Sequence, residues 1–193
     1  MCRYVLPMHI KMKSTVKITC CGVISALAVV VMLGTNIPIM LYAVPALAGM
    51  LFIIPAIEIG TAWGFLCYFV VSVLSLLLPT EREALIVFIG ILGYYPIVKM
   101  LIERIGNRIL EYIIKVVVFN VAIISSYAVI VKIMGIGVFE NDSFSLIATE
   151  LFLLAAGNIA FVIFDFALTK LIRAYFIKFR KTVRKALGIK GRY

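Results

Sequence analysis

Hydrophobic residues run through this chain in long blocks, and the few polar positions between them mark where helices must end. Val16–Gly34 is the first block, and about 20 apolar residues are enough to cross a bilayer as a helix. A polar break, Thr35-Asn36-Ile37-Pro38, follows with a helix-starting proline. From Ile39 to Pro79 the apolar character lapses only at Glu58-Ile59-Gly60-Thr61, which is too long a stretch for one crossing. Dividing it at Glu58 predicts a second span over 38–57 and a third over 60–79, with Pro45 and Pro55 bending or breaking the second. Thr80-Glu81-Arg82-Glu83 reads as a turn, a capping threonine ahead of acids in the first helical turn. Ala84–Ile102 is the fourth span and Glu103–Lys115 an amphipathic helical connection. Val116–Phe139 is the fifth span, loosened by Gly135 and Gly137. After the acidic turn Glu140-Asn141-Asp142-Ser143, Phe144–Thr169 is the sixth. The expected fold is an all-α membrane protein, a bundle of about six transmembrane helices over 16–171, between a basic leader (1–15) and a basic tail (172–193).

Composition removes the soluble alternative. The 193 residues are 64% hydrophobic and 15% charged, where a soluble domain carries about 45–50% apolar and roughly 25% charged residues. The first block imitates a secretory signal, but no small-x-small cleavage site follows it and further spans come directly behind, so an uncleaved first span is expected. The net charge of +10 is concentrated at the chain ends and in one internal loop, a pattern that sets topology and touches anionic headgroups better than it fits nucleic acid. With both termini cytoplasmic, Arg3, Lys11, Lys13 and Lys17, then Lys99, Arg104, Arg108 and Lys115, then the cations from Lys170 onward all fall inside. Only Arg82 and Lys132 fall outside, as the positive-inside rule requires. The tail interleaves its cations with Tyr175, Phe176, Ile177, Phe179 and Leu187; it either continues the last helix onto the inner leaflet or ends as a solvated basic segment.

Few residues offer chemistry. The single histidine, His9, lies in the leader, so neither a Ser-His or Cys-His hydrolytic site nor a two-histidine metal site is available in the membrane. No G-x-x-x-x-G-K-[ST] phosphate loop is present. The expectation is a non-enzyme without cofactor or metal. Cys2, Cys20, Cys21 and Cys67 read as packing residues, with palmitoylation as the alternative. Polar groups at membrane depth remain, and these are functional by default. Asn36, Tyr42, Glu150 and Asn158 lie towards the outside and are the candidates for substrate binding, or for helix–helix hydrogen bonds. Glu58, Lys99, Asn120 and Asp165 lie in the inner half. Lys99 either snorkels, or meets Glu103 four residues on, or joins Glu58 or Asp165 in a structural ion pair. Pro96, one turn before Lys99, cannot donate to the Leu92 carbonyl, leaving that acceptor for a neighbouring helix or water, with a hydroxyl of Tyr94-Tyr95 close by. Small residues spaced by four, Gly22-x-x-x-Ala26, Gly60-x-x-x-Gly64 and Ala156-x-x-x-Ala160, permit close helix contacts. Gly22, Ser25 and Ala26 with Ala28 give the first span a surface suited to docking another membrane subunit or to packing in its own bundle.

Two stretches, T-C-C-G-V-I-S-A-L-A-V-V-V (Thr19–Val31) and P-A-L-A-G-M-L-F-I-I-P-A-I-E-I-G (Pro45–Gly60), together with the size, the six expected spans and the basic termini, resemble the substrate-binding (S) components of energy-coupling-factor (ECF) transporters. The resemblance implies binding of a small vitamin-like molecule or metal ion from outside, with a separate transmembrane coupling subunit and two ATPases supplying energy, in a prokaryotic plasma membrane. It also implies docking through an alanine-x-x-x-alanine pattern on the first helix, where this chain has Gly22 and Ala26. The leader begins Met1-Cys2-Arg3, without the Met-His start of the nickel and cobalt branch. The alternative is a non-transporting membrane scaffold of an envelope-assembly complex.

Overall fold

The structure, a computed structural model, describes residues 13–37, 40–134 and 143–186. Residues 1–12 of the leader with Cys2 and His9, Pro38, the glycines Gly135 and Gly137, the acids Glu140 and Asp142, and Leu187 lie outside the described residues. Among those described, all regular structure is helical and falls into six rods.

The first rod is α1 (Ser14–Met32), closed by a 3₁₀ turn over Leu33–Asn36. Buried Thr35 ends it: its hydroxyl donates to the Met32 carbonyl at 2.8 Å and accepts the Glu81 backbone N–H at 3.4 Å. The second rod is two short helices, α2 (Ala43–Leu51) and α3 (Ile53–Glu58), broken at Phe52. The break expected in this span is present, and both prolines stand at the start of a helix. Pro45 and Pro55 each occupy a first turn, where no N–H is required of them. Gly60, at φ +144°, then turns the chain into α4 (Thr61–Leu77) through backbone that side-chain-bearing residues avoid.

The fourth rod is the hub. Its Arg82–Ile102 stretch is 56% buried, against 28% for Ser14–Asn36 and 22% for Arg108–Val129, because it packs on α2, α4 and the fifth rod together. It is not one helix but α5 (Arg82–Val87), a π turn over Phe88–Leu92, and α6 (Tyr95–Ile102), with Pro96 in the first turn of α6. Pro96 has no N–H for the Leu92 carbonyl, so the helix stops and restarts. In the π turn the Gly93 N–H reaches back to Phe88 at 2.8 Å. Tyr68 on α4 donates its hydroxyl to the loosened Ile89 carbonyl at 2.7 Å, while Gly49 on α2 packs directly on the Leu92 carbonyl. Of the two tyrosines expected to bring a hydroxyl to the Leu92 carbonyl, Tyr94 packs edge-on to Tyr68 and Tyr95 gives its hydroxyl to Asp165. The expected threonine cap is also displaced. Thr80 donates back to the Ser75 carbonyl at 2.9 Å, and Glu81 precedes α5.

The fifth rod, α7 (Arg108–Met134), corrects the reading of Glu103–Lys115 as a separate connection. Only residues 103–107 turn, with Gly106 at φ +79°, and the amphipathic stretch from Arg108 is the first two turns of the span itself. The sixth rod, α8 (Ser143–Ala174), runs past Thr169 and continues through a second π turn, Tyr175–Phe179, into α9 (Arg180–Ala186). Four of the rods are long and apolar enough to cross a membrane, and the two built from α2–α3 and α4 are shorter apolar helices. The core gathers Met32, Phe52, Phe88, Tyr95, Ile97 and Leu168, contributed by four of the six rods, around the hub.

A Cβ added at Gly49 would lie 2.1 Å from the Leu92 oxygen, whereas one at Gly22 would meet nothing within 4 Å. Gly49→Ala is expected to lower stability by about 1–3 kcal/mol, the usual cost of overpacking. Gly22→Ala should leave it unchanged. Unfolding of the two variants in detergent micelles checks both.

Candidate functional site

Two buried charge clusters hold the rods together at the ends of α6 and α3. The first is built on Lys99, whose side chain is wholly buried. An ammonium has three protons to donate, and donating all of them offsets the cost of burying its charge. Lys99 Nζ does so: to Glu103 Oε1 at 2.9 Å, to the Asp165 backbone carbonyl at 3.1 Å, and to Asp165 Oδ1. Lys115 on α7 donates to the same Glu103 oxygen at 2.8 Å and to Asp165 Oδ2 at 3.3 Å. Tyr95 donates its hydroxyl to Asp165 Oδ1 at 2.6 Å, and its ring packs edge-on to Phe161 of α8. Two ammonium groups and two carboxylates thus cancel in charge while joining α6, α7 and α8.

The second cluster is built on Glu58, whose side chain is also wholly buried. Arg180 Nε donates to its Oε1 at 3.0 Å and Arg184 Nε to its Oε2 at 2.8 Å, with the Tyr175 hydroxyl 3.3 Å from Oε1. The π turn between α8 and α9 sets this geometry. Leu168, Ile172 and Tyr175 face the bundle at helical spacing. A regular helix would next turn Phe179 inward, yet Phe179 is 57% exposed and Arg180 and Arg184 take the inward positions. One extra residue in the turn re-phases the stripe, which is what a π turn does.

The structure therefore brings Lys99 and Asp165 together and separates Glu58 from them. The partners of Glu58 come from a tail that sequence reading placed on the leaflet or in solvent. Lys115, a boundary cation by sequence, is a full member of the first cluster. Its signal was its depth, level with Lys99 across the turn. No comparable signal marks Arg180 and Arg184, because their phase depends on the π turn.

The four substrate-binding candidates do not form one constellation among the described residues. Asn36 and Tyr42 are exposed at the α1–α2 end, and the side chain of Glu150 lies outside the described residues. Asn158 is spent on a partner helix: it exchanges two hydrogen bonds with Asn120 on α7, each 3.1 Å, and donates to the Leu154 carbonyl at 2.9 Å. The docking candidates divide by face. Gly22 and Ala26 point out of the bundle with Val23, Leu27 and Val30, while Ser25 and Ala28 point into it. Gly64 is buried, with a Cβ there only 2.8 Å from that of Ala56, so it brings α4 close to α3. Ala156 and Ala160 face outward. Cys20, Cys21 and Cys67 are buried free thiols between α1 and α4. No family model, no curated protein and no solved structure matches this chain.

Removing one member of a buried ionic group strands its partner, which costs about 3–5 kcal/mol. Lys99→Met is expected to destabilise by that amount, and adding Asp165→Leu to it should recover most of the loss. A double-mutant cycle from chemical unfolding in micelles measures both. Separately, Glu58→Ala should speed amide hydrogen exchange across residues 175–186 and leave α4 protected.

Proposed function

We propose that the chain is a multi-pass membrane protein of six spans with both termini cytoplasmic, and that it is the substrate-binding subunit of an ECF-type transporter. It takes up a small vitamin-like solute, with energy from separate ATPases through a transmembrane coupling subunit. Four membrane-length rods, two shorter apolar ones and the uneven distribution of cations support the embedding. The observation that carries the subunit reading is the outward face of α1. Gly22 and Ala26 present their smallest surface away from their own bundle, with open space around Gly22. Small residues facing lipid gain nothing from it, whereas facing another helix they allow the backbones to approach closely. One observation favours the scaffold alternative: Asn158, a pocket candidate, has its amide engaged by Asn120 and Leu154.

The two readings part on one experiment. Gly22→Leu with Ala26→Leu is expected to abolish copurification of a coupling subunit and ATPases, and to abolish uptake, while the purified protein retains whatever small ligand mass spectrometry finds on the unmodified chain. Retention of envelope-assembly proteins in place of ATPases, with no small ligand on either form, sinks the transporter reading.

A further inference from the structure

The last rod touches both buried charge clusters, and the spacing of those contacts fixes how it runs. Ala56 of α3 and Ile97 of α6 both abut Gly64, so these two helices are level there. Glu58 follows Ala56 by one residue between them, Lys99 follows Ile97 in the same way, and the second and fourth rods run in the same direction. The two clusters therefore lie at about the same depth. Between Asp165 on the first and Arg180 on the second lies about 22 Å of helix, at roughly 1.5 Å per residue. Even after the reach of the Lys99 and Arg180 side chains, most of that length runs across the inner end of the bundle rather than away from it.

The two faces of this stretch differ. Inward, Leu168, Ile172 and Tyr175 are buried, and Glu58 holds Arg180 and Arg184. Outward, Lys170, Lys178 and Lys185 are exposed, interleaved with exposed Phe166, Ile177 and Phe179. The Lys170 ammonium stands over the Phe166 ring, 5.0 Å from its centre. From Phe166 onward the sequence holds no Asp or Glu, so this stretch supplies no acid of its own to its outward cations. Bare aromatic and aliphatic surface is unfavourable in water, and an ammonium is unfavourable in hydrocarbon. A face that carries both while running across the inner end of the bundle fits the headgroup boundary, where apolar side chains dip into the acyl region and cations meet phosphates. We propose that the outward face from Phe166 to Lys185 binds the headgroups of anionic phospholipids, with Ile177 and Phe179 at the acyl boundary and Lys178 and Lys185 on the phosphates. The inference rests on the membrane embedding proposed above and not on the transporter assignment.

The test reconstitutes the full chain in nanodiscs of phosphatidylcholine doped with phosphatidylglycerol or phosphatidylethanolamine, followed by native mass spectrometry of retained lipid. Of the three only phosphatidylglycerol carries a net negative charge, so it should be retained over the other two. Lys178→Gln with Lys185→Gln should cut that preference by about fivefold for each cation lost. Both side chains are exposed, so the unfolding temperature should not fall. Arg82→Gln with Lys132→Gln removes the same charge elsewhere and should leave the preference intact. Ile177→Gln with Phe179→Gln should weaken retention at unchanged charge. Equal retention of the three lipids, a preference that survives loss of both lysines, or an equal fall on loss of Arg82 and Lys132 would overturn the proposal. Retention untouched by the changes at Ile177 and Phe179 would also overturn it. Inorganic phosphate added to pure phosphatidylcholine discs separates the two sources of the anion: stabilisation by it, without retention of phosphatidylglycerol, assigns the cations to a soluble anion and overturns the lipid. A chain that enters no nanodisc overturns the embedding itself, and this inference with it.

Discussion

A wholly buried ammonium dominates this architecture. Lys99 has to place three protons on protein acceptors, and the geometry that does so draws Glu103 from its own helix and both a carboxylate oxygen and a main-chain carbonyl from Asp165 on α8. Each of those acceptors then needs balance, which Lys115 and Tyr95 provide. The rods α6, α7 and α8 meet where they do because the alternative is an uncompensated charge in a medium of low dielectric. Elsewhere α8 is held by apolar packing, Phe161 stacking on Phe119 of α7 and Leu168 and Ile172 lying in the core. Its outer faces are exposed, and its other polar tie to α7 among the described residues is the reciprocal Asn120–Asn158 pair.

The two π turns serve the same requirement. Each adds a residue to a turn and rotates everything downstream. The first, ahead of Pro96, exposes carbonyls that Tyr68 and Gly49 cover from two other rods, so the break in the hub also fastens α4 and α2 to it. The second brings Arg180 and Arg184 onto Glu58, tying the end of the chain back to α3. Local departures from α-helix occur where a side chain far away in sequence supplies what the backbone or a buried acid lacks.

Against this polar framework the outer surface is plain. α1 turns small residues outward at Gly22 and Ala26, and α7 and α8 leave a groove whose floor is the exposed edge of the Lys99 cluster. The first surface is built of small residues and the second has a charged floor between apolar walls. Both arise because the inward faces are committed, α1 through Cys21, Ala28 and Met32 and α8 through Phe161, Leu168 and Ile172.

The rods and most of their limits follow from the sequence alone, since apolar block length and polar breaks depend only on neighbours along the chain. Prolines and Gly60 place the breaks for the same local reason. Lys99, Glu58 and Asp165 stand out in sequence as groups that must be compensated. Which partner compensates which was decided by tertiary structure. Helix rotation sets those pairs, and rotation is fixed by packing between rods that sequence spacing does not encode. Asp165 lies 66 residues from Lys99, and Arg184 lies 126 residues from Glu58. Tyr95, assigned by proximity to the Leu92 carbonyl, instead reached another rod, and the stretch around Pro96 and Lys99 became the hub only once α2, α4, α7 and α8 had closed on it.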